Sequence, residues 1–131
     1  NKNFEKYLKK LNPNLKIFRA KYTSKNIKDF KLKDNFLMFS GIGNPLEFEK
    51  TLKKYNFKIK KKITFPDHYS YTNSDVKNIN KIAKSNKLKI VTSEKDYNRL
   101  SKSQRKNIQY LKIELKIENE IQFKNFLIKR I

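Results

Sequence analysis

The strongest constraint on the fold is a run of four consecutive apolar residues, Phe36–Phe39, in the segment NFLMFS (35–40). A strand with apolar side chains on both sides is typical of a parallel sheet that is covered on both faces. The segment GIGNP (41–45) follows, and its proline suits the first turn of a helix, where the missing N–H costs nothing. The sequence therefore predicts a buried strand followed directly by a helix.

The same alternation of strands and helices continues along the chain. Three more strands are predicted, at 57–65, 88–92 and 110–115. Helices are predicted after Pro45, after the capping-box-like segment TNSD, as a short helix or turn in SEKDYNRL, and around Ile121–Ile131. This order favours an α/β fold, a Rossmann-like three-layer domain with a mostly parallel sheet.

A helix and one or two strands are predicted before this domain. Phe4, Tyr7, Leu8 and Leu11 have the spacing of one helix face. The segment KIFRAKY (16–22) alternates as a half-exposed strand does, and a second extended piece is predicted at Ile27–Leu32. We therefore divide the chain into residues 1–34 and an α/β lobe at 35–131.

Composition limits the chemistry and the partners. With 33 Lys and Arg against 12 Asp and Glu, the formal charge of +21 favours anionic partners, although an AT-rich coding bias toward Lys, Asn and Ile explains the bulk of this charge better. The absence of Cys and the single His exclude a thiolate nucleophile and zinc sites built from Cys or several His. The chain begins NKNF, without Met or a signal peptide, so we expect an interior piece of a longer protein.

Three unusual loops follow the first three predicted strands. Both glycines, Gly41 and Gly43, lie in the first loop, the only histidine, His68, follows Asp67 in the second, and the segment TSEKD (92–96) forms the third. In a parallel sheet these loops share the edge where ligands bind. Each loop also has a simpler interpretation: a tight glycine turn, a solvent-exposed turn, and a helix start that carries acids.

Taken together, the motifs FSGIGNP, FPDHYSYT and VTSEKD resemble the C-terminal half of the tetraacyldisaccharide 4'-kinases, the lipid A kinases. The segment KIFRAKY resembles the part of that family that joins its two halves. Two positions depart from the family pattern, because Tyr69 stands where a second histidine is frequent and Ser93 where a second threonine is frequent.

The resemblance implies an enzyme of two α/β lobes joined by a two-stranded hinge. Residues 1–34 would then hold an inter-lobe helix and the hinge strands, and residues 35–131 would be the C-terminal lobe. ATP and Mg²⁺ would bind the missing N-terminal P-loop lobe. His68 matches the catalytic histidine, which works with an aspartate of the other lobe to deprotonate the sugar 4'-hydroxyl, and Asp67 would orient it or contact the substrate. Substrate binding is expected from the other loop residues: Gly41, Gly43, Asn44, Thr92, Glu94, Lys95 and Asp96.

The expected reaction is transfer of the ATP γ-phosphate to the 4'-hydroxyl of a tetraacyldisaccharide 1-phosphate, in lipid A biosynthesis. The expected partners are this lipid A disaccharide precursor, the P-loop lobe and an anionic membrane surface, at the cytoplasmic face of the bacterial inner membrane as a peripheral protein. We expect no specific nucleic acid partner, and we expect the chain alone to be inactive because it has no P-loop. Two alternatives stay open, a basic nucleic-acid-binding α/β module and a structural or membrane-surface module.

Overall fold

A computed structural model describes all 131 residues. Five α-helices and six strands follow one another, with one short 3₁₀ helix at Ile27–Asp29. Their bounds in chain order are α1 (Lys2–Leu11), β1 (Ala20–Ser24), β2 (Asn35–Ser40), α2 (Pro45–Lys54), β3 (Lys58–Thr64), α3 (Asn73–Ser85), β4 (Lys89–Ser93), α4 (Glu94–Arg99), β5 (Ile108–Leu111), β6 (Ile113–Ile117) and α5 (Glu120–Ile128). The chain forms two compact units, one of Asn1–Thr23 with Glu114–Ile131 and one of Ser24–Ile113.

The larger unit, Ser24–Ile113, is built on a four-stranded parallel sheet with the strand order β3-β2-β4-β5. Strand β2 lies inside the sheet, and its Phe36 is paired with Ile59 of β3 and with Lys89 of β4. Strand β5 continues the sheet in parallel beside β4. The predicted α/β fold, a Rossmann-like three-layer domain with a mostly parallel sheet, is confirmed.

Successive side chains of β2 enter two different hydrophobic clusters. Leu37 and Phe39 pack on one face with the apolar side of α3, which contributes Val76, Ile79 and Ala83. Phe36 and Met38 pack on the other face with Phe48 and Leu52 of α2. Since neighbouring residues of a strand point to opposite faces, the four apolar residues in a row supply both layers. Each such buried side chain stabilises the fold by about 1.5–3 kcal/mol.

Polar caps fix where the helices that follow the sheet begin. Asn44 caps α2, because its side chain accepts the backbone N–H of Glu47 at 3.2 Å, and Pro45 occupies the first turn. Thr72 caps α3 in a reciprocal capping box with Asp75, as the sequence predicts. These caps end the loops after β2 and β3 at defined residues.

The predicted fourth strand, 110–115, is wrong as a single element. Residues Ile108–Leu111 form β5 in the parallel sheet, whereas Ile113–Ile117 form β6, which pairs with β1 in a separate two-stranded sheet. The division falls at Lys112, whose backbone N–H donates to Asn26 Oδ1 at 2.8 Å and whose carbonyl accepts the N–H of Lys25 at 2.9 Å. The N–H and C=O groups of Lys112 therefore form no hydrogen bonds within the parallel sheet.

Three smaller expectations also differ from the structure. The extended piece predicted at Ile27–Leu32 is a 3₁₀ helix over Ile27–Asp29. The hinge strand predicted at 16–22 runs instead over Ala20–Ser24. The spacing of Leu46, Leu52 and Tyr55 predicts one face of α2 with Phe48 beside it, but Leu46 is exposed and Phe48 is buried.

The smaller unit consists of α1, β1, β6 and α5. Arg19 and Glu5 form a bidentate pair with N–O distances of 2.6 and 2.7 Å, and Phe18 packs on the rings of Phe123 and Phe126. An open groove of about 1260 Å³ lies in this unit, and apolar and basic side chains line it. No helix of the chain has the length and apolar character needed to cross a bilayer.

Candidate active site

The loops that follow β2 and β3 lie at one edge of the parallel sheet, beside the point where β4 passes directly into α4. The segment TSEKD (92–96), predicted as a third loop, is instead the end of β4 and the start of α4. The backbone N–H of His68, in the second loop, donates to the carbonyl of Gly41 in the first at 3.1 Å. The backbone N–H of Gly41 donates in turn to Oδ1 of Asp96, at the start of α4, at 3.0 Å. The shared rim that the sequence predicts is therefore present, and hydrogen bonds join the two loops to each other and to the start of α4.

Asp96 is the centre of this assembly and is fully buried. Its Oδ1 accepts the N–H of Gly41 and the hydroxyl of Tyr71, and its Oδ2 accepts the hydroxyl of Ser93 at 2.6 Å. The Arg99 guanidinium lies 3.3 Å from Oδ1 and balances the charge. A buried carboxylate is tolerated only with such pairing and hydrogen bonding. Both oxygens of Asp96 therefore accept hydrogen bonds from within the protein, and these bonds hold the loops together.

Tyr71 supplies the apolar support beneath this carboxylate. Its ring packs edge-on against Phe39 and Phe65, with centroids 5.4 and 5.1 Å away, and its hydroxyl lies 2.8 Å from Asp96 Oδ1. Burial, together with the hydrogen bond to Asp96, raises the pKa of the Tyr71 hydroxyl well above its ordinary value. Tyr71 thus stays a neutral hydrogen-bond donor.

The two glycines of the first loop have different surroundings. A Cβ at Gly41 would lie 2.9 Å from the Tyr71 hydroxyl and 3.1 Å from the backbone oxygen of Pro66, so no side chain fits there. Gly43 is exposed, and a Cβ there would meet only Asp67, at 3.3 Å. Neither glycine has a positive φ. Gly41 is needed for close approach, not for an unusual backbone angle.

Asp67 and His68 form the tip of the second loop. His68 has a φ of 58°, in the left-handed region that few residues other than glycine adopt. Its N–H also donates to Oδ1 of Asp67 at 2.9 Å, which holds the turn. The His68 side chain is 82% exposed and that of Asp67 51%, so both are open to a substrate. A strained, exposed turn held by its neighbours is typical of functional sites.

Arg99 contacts both loops and Asp96, and the sequence analysis did not identify it. One terminal nitrogen donates to the carbonyl of Gly41 at 2.7 Å and the other lies 3.3 Å from Nδ1 of His68. The only signal in the sequence is its position three residues after Asp96, one helical turn away. Tyr71 was not identified either, because the spacing of its aromatic side chain in the sequence indicates only a core residue.

Comparison with known proteins identifies the family. The family model described as Tetraacyldisaccharide-1-P 4'-kinase (LpxK) matches residues 1–131. The chain belongs to this family. A tetraacyldisaccharide 4'-kinase of Pelagibacter ubique is 41% identical over 122 residues, which are 93% of this chain and 39% of that protein. One of Rickettsia bellii is 41% identical over 75 residues, 57% of this chain and 23% of that protein. The chain thus spans well under half the length of these relatives.

A solved structure shares the fold. It is described as an "apo" form of LpxK from Aquifex aeolicus in complex with ATP. It matches with a TM-score of 0.56 and 24% sequence identity over 92% of this chain and 40% of that chain. The likeness supports the architecture of the tetraacyldisaccharide 4'-kinase family for this chain.

The two departures from the family motifs have structural tasks here. The hydroxyl of Ser93 donates to Asp96 Oδ2 at 2.6 Å and also accepts the backbone N–H of Asp96, which caps α4. The hydroxyl of Tyr69 donates to Asp75 Oδ2 at 3.1 Å and its ring packs on Phe65. Both residues therefore support the loops from inside.

The remaining predicted site residues lie at different depths. Thr92 is fully buried and its hydroxyl donates to the carbonyl of Phe39 at 2.7 Å. Asn44 is exposed at the start of α2, Lys95 is exposed on α4, and Glu94 lies 3.9 Å from Lys112. A role in substrate binding stays a prediction for each of them. No group of three or more His, Cys, Asp or Glu side chains that could hold a metal ion is present.

Proposed function

We propose that this chain is the C-terminal part of a lipid A kinase, which transfers the ATP γ-phosphate to the 4'-hydroxyl of a tetraacyldisaccharide 1-phosphate. The observation that carries the proposal is the exposed Asp67–His68 turn, held at the carboxyl edge of the sheet by Gly41 and Arg99 in a chain that matches this kinase family throughout. Ligands of open α/β sheets bind at this edge. The division into hinge residues 1–34 and a lobe at 35–131 belongs to the same proposal.

His68 is proposed as the catalytic histidine. Phosphoryl transfer depends mostly on positioning and charge stabilisation, and a group that assists loss of the hydroxyl proton is one of the few protein contributions. Imidazole suits this work near neutral pH. Asp67 lies beside it, with Oδ2 3.7 Å from His68 Nε2, and would orient the ring or contact the sugar. The aspartate that completes the site would come from the missing lobe.

ATP and Mg²⁺ are assigned to that missing part. The residues of this chain do not fit a magnesium–nucleotide site, because no Gly-Lys-Ser/Thr sequence follows its glycines and no cluster of acidic ligands is present. The relatives are at least twice as long as this chain, which leaves room for a P-loop lobe. Nucleotide binding is therefore assigned to residues outside this chain.

The substrate contacts divide into exposed and supporting residues. Gly43 and Asn44 are exposed in the loop after β2 and Lys95 is exposed on α4, and all three are proposed to contact the disaccharide or its phosphate. Gly41, Thr92 and Asp96 are buried and would act by shaping the rim, and Glu94 would act through its pairing with Lys112. This assignment follows burial, since an atom without solvent access cannot meet a substrate from solution.

The charge of the chain fits the proposed location. A formal charge of +21 favours adsorption to anionic lipid, which would bring a peripheral enzyme to the inner membrane surface where its acylated substrate lies. The alternative, a nucleic-acid-binding module, is not favoured by the family match. Titration with single-stranded and duplex oligonucleotides at physiological salt separates the two, because binding by charge alone weakens steeply with salt.

A chimeric enzyme tests the proposal. The 122 matching residues of the Pelagibacter ubique relative would be replaced by those of this chain, and transfer of labelled γ-phosphate to tetraacyldisaccharide 1-phosphate would be measured. We expect activity of the same order as the parent. Lys81→Ala, at an exposed position of α3, serves as the control substitution. A folded chimera without activity beside an active parent would contradict the proposed function.

A further inference from the structure

The Arg99 side chain is fixed at the rim before any substrate arrives. One terminal nitrogen donates to the carbonyl of Gly41 at 2.7 Å and lies 3.3 Å from Oδ1 of the fully buried Asp96. The Arg99 side chain is itself only 24% exposed. A planar guanidinium held through one nitrogen by two oxygens has its other nitrogen aimed in a set direction. That second nitrogen lies 3.3 Å from Nδ1 of His68.

This contact decides which ring nitrogen of His68 carries the proton. A guanidinium has only N–H donors and stays protonated, so it can only donate to Nδ1. Nδ1 must then offer its lone pair, and the single N–H of the neutral imidazole must lie on Nε2. Asp67 Oδ2 faces Nε2 at 3.7 Å and favours a proton there as well. Both neighbours of the ring therefore select the same tautomer.

We propose that Arg99 is a positioning residue that fixes the neutral His68 ring in its Nε2–H tautomer and orients it at the rim. The inference deepens the proposed function, on which its catalytic meaning rests. With Nδ1 engaged by Arg99, the exposed nitrogen donates a hydrogen bond instead of accepting a proton. The hydroxyl proton of the substrate would then pass to the carboxylate of the aspartate expected from the other lobe, and His68 orients that carboxylate or the sugar oxygen.

Nuclear magnetic resonance on the chain itself tests the tautomer directly. His68 is the only histidine, so the imidazole region of a long-range ¹H–¹⁵N spectrum of the ¹⁵N-labelled protein contains one ring. Above the titration of the ring we expect Nδ1 to be pyridine-like and Nε2 pyrrole-like, with no detectable Nδ1–H form. In Arg99→Met we expect a mixture that contains the Nδ1–H tautomer.

The matched control is Arg105→Met, which removes the same charge. Arg105 donates to the carbonyls of Tyr97 and Leu100 and lies over the Tyr97 ring, without a contact to His68. We expect its imidazole spectrum to equal that of the wild type. If Arg99→Met fails to fold because Asp96 is left uncompensated, Arg99→Lys keeps the charge without the planar fork, and we expect the same mixture of tautomers. A wild-type ring protonated on Nδ1, or an unchanged spectrum in a folded Arg99 variant, overturns the proposal.

The catalytic consequence is measured separately in the chimeric enzyme. We expect Arg99→Met to lower kcat about 10–100-fold with little change in KM, as misplacement of a catalytic group does, and Arg105→Met to leave both unchanged. Because the spectrum does not depend on kinase activity, the two failures can be told apart. An inactive chimera with the expected tautomers refutes the function alone, and an active chimera indifferent to Arg99→Met refutes the positioning role alone.

Discussion

At the scale of single residues, His68 has a backbone held by its neighbours and an exposed side chain. Its backbone adopts a left-handed conformation that needs support from Gly41 and Asp67, yet its side chain is 82% exposed. The backbone of His68 is thus held in place, while its imidazole makes few packing contacts. This arrangement separates catalysis from stability, because removing the ring takes away few packing contacts.

We therefore expect His68→Ala to lower kcat and kcat/KM together in an active enzyme that contains this chain, by about 10²–10⁴-fold. Thermal unfolding of the same variant should change little, because the ring is exposed. Steady-state kinetics with the lipid substrate and a thermal melt check both parts. A folded variant that keeps more than about a third of its activity would show that His68 is only a turn residue.

The two glycines provide a matched pair of substitutions. Gly41→Ala should lower the free energy of unfolding by about 1–3 kcal/mol. The new Cβ would lie closer than van der Waals contact to the Tyr71 hydroxyl and to the backbone oxygen of Pro66. Gly43→Ala should cost distinctly less, since its only close neighbour is the exposed Asp67 carboxylate. Urea unfolding of both variants measures the difference. Equal losses would mean that the loop relaxes and that the rim is not tightly assembled.

At the scale of the elements, α3 carries one face of the core and begins a few residues after the Asp67–His68 turn. Its capping box consists of Thr72, whose hydroxyl accepts the N–H of Asp75, and Asp75, whose carboxylate accepts the N–H of Thr72 at 2.8 Å. The hydrogen bonds from the backbone and side chain of Thr72 hold the pKa of Asp75 below its ordinary value. The stability of the start of α3 therefore depends on pH.

We expect Thr72→Ala to lower the free energy of unfolding by about 0.5–2 kcal/mol near neutral pH. Because the pKa of Asp75 is lowered in the folded state, its contribution is present above the unfolded pKa and is lost as pH falls through the folded value. Asp75→Asn, whose side chain does not ionise, should therefore reduce the loss of stability on acidification. Denaturant unfolding at neutral and acidic pH measures this, with Ser74→Ala on the same turn as the control. Identical pH dependence in wild type and Asp75→Asn would exclude the capping box as its source.

Elements whose pattern is local were predictable from the sequence, and those decided by distant partners were not. Strand β2 and the start of α3 follow from a buried run and a capping box within a few residues. The break at Lys112 depends on hydrogen bonds to Lys25 and Asn26, 86 residues from the latter, and no local pattern contains that information. The site divides in the same way. The rim follows from the parallel order of the strands, whereas the destination of the long Arg99 side chain depends on the folded loops.

At the scale of the whole molecule, the chain provides one edge of a site and a large positive charge. The rim holds an imidazole, a carboxylate and exposed backbone, but it has no cluster of acidic ligands and no Gly-Lys-Ser/Thr loop. The Pelagibacter ubique relative is matched over 39% of its length. The proposed division of the enzyme into two parts predicts that this chain alone lacks nucleotide binding, and this can be tested.

We expect the isolated chain neither to bind Mg²⁺–ATP tightly nor to phosphorylate the disaccharide. Its charge of +21 gives any polyphosphate a weak attraction, but such binding is screened as salt rises, because exposed charges interact over only about 8–10 Å at 0.1–0.15 M ionic strength. Calorimetry at low and physiological salt distinguishes this from a built site. Inorganic triphosphate serves as the control ligand, since adsorption by charge alone does not require the adenosine. Micromolar binding of Mg²⁺–ATP that persists at physiological salt and exceeds that of triphosphate would place a nucleotide site in this chain and reverse the assignment of the two lobes.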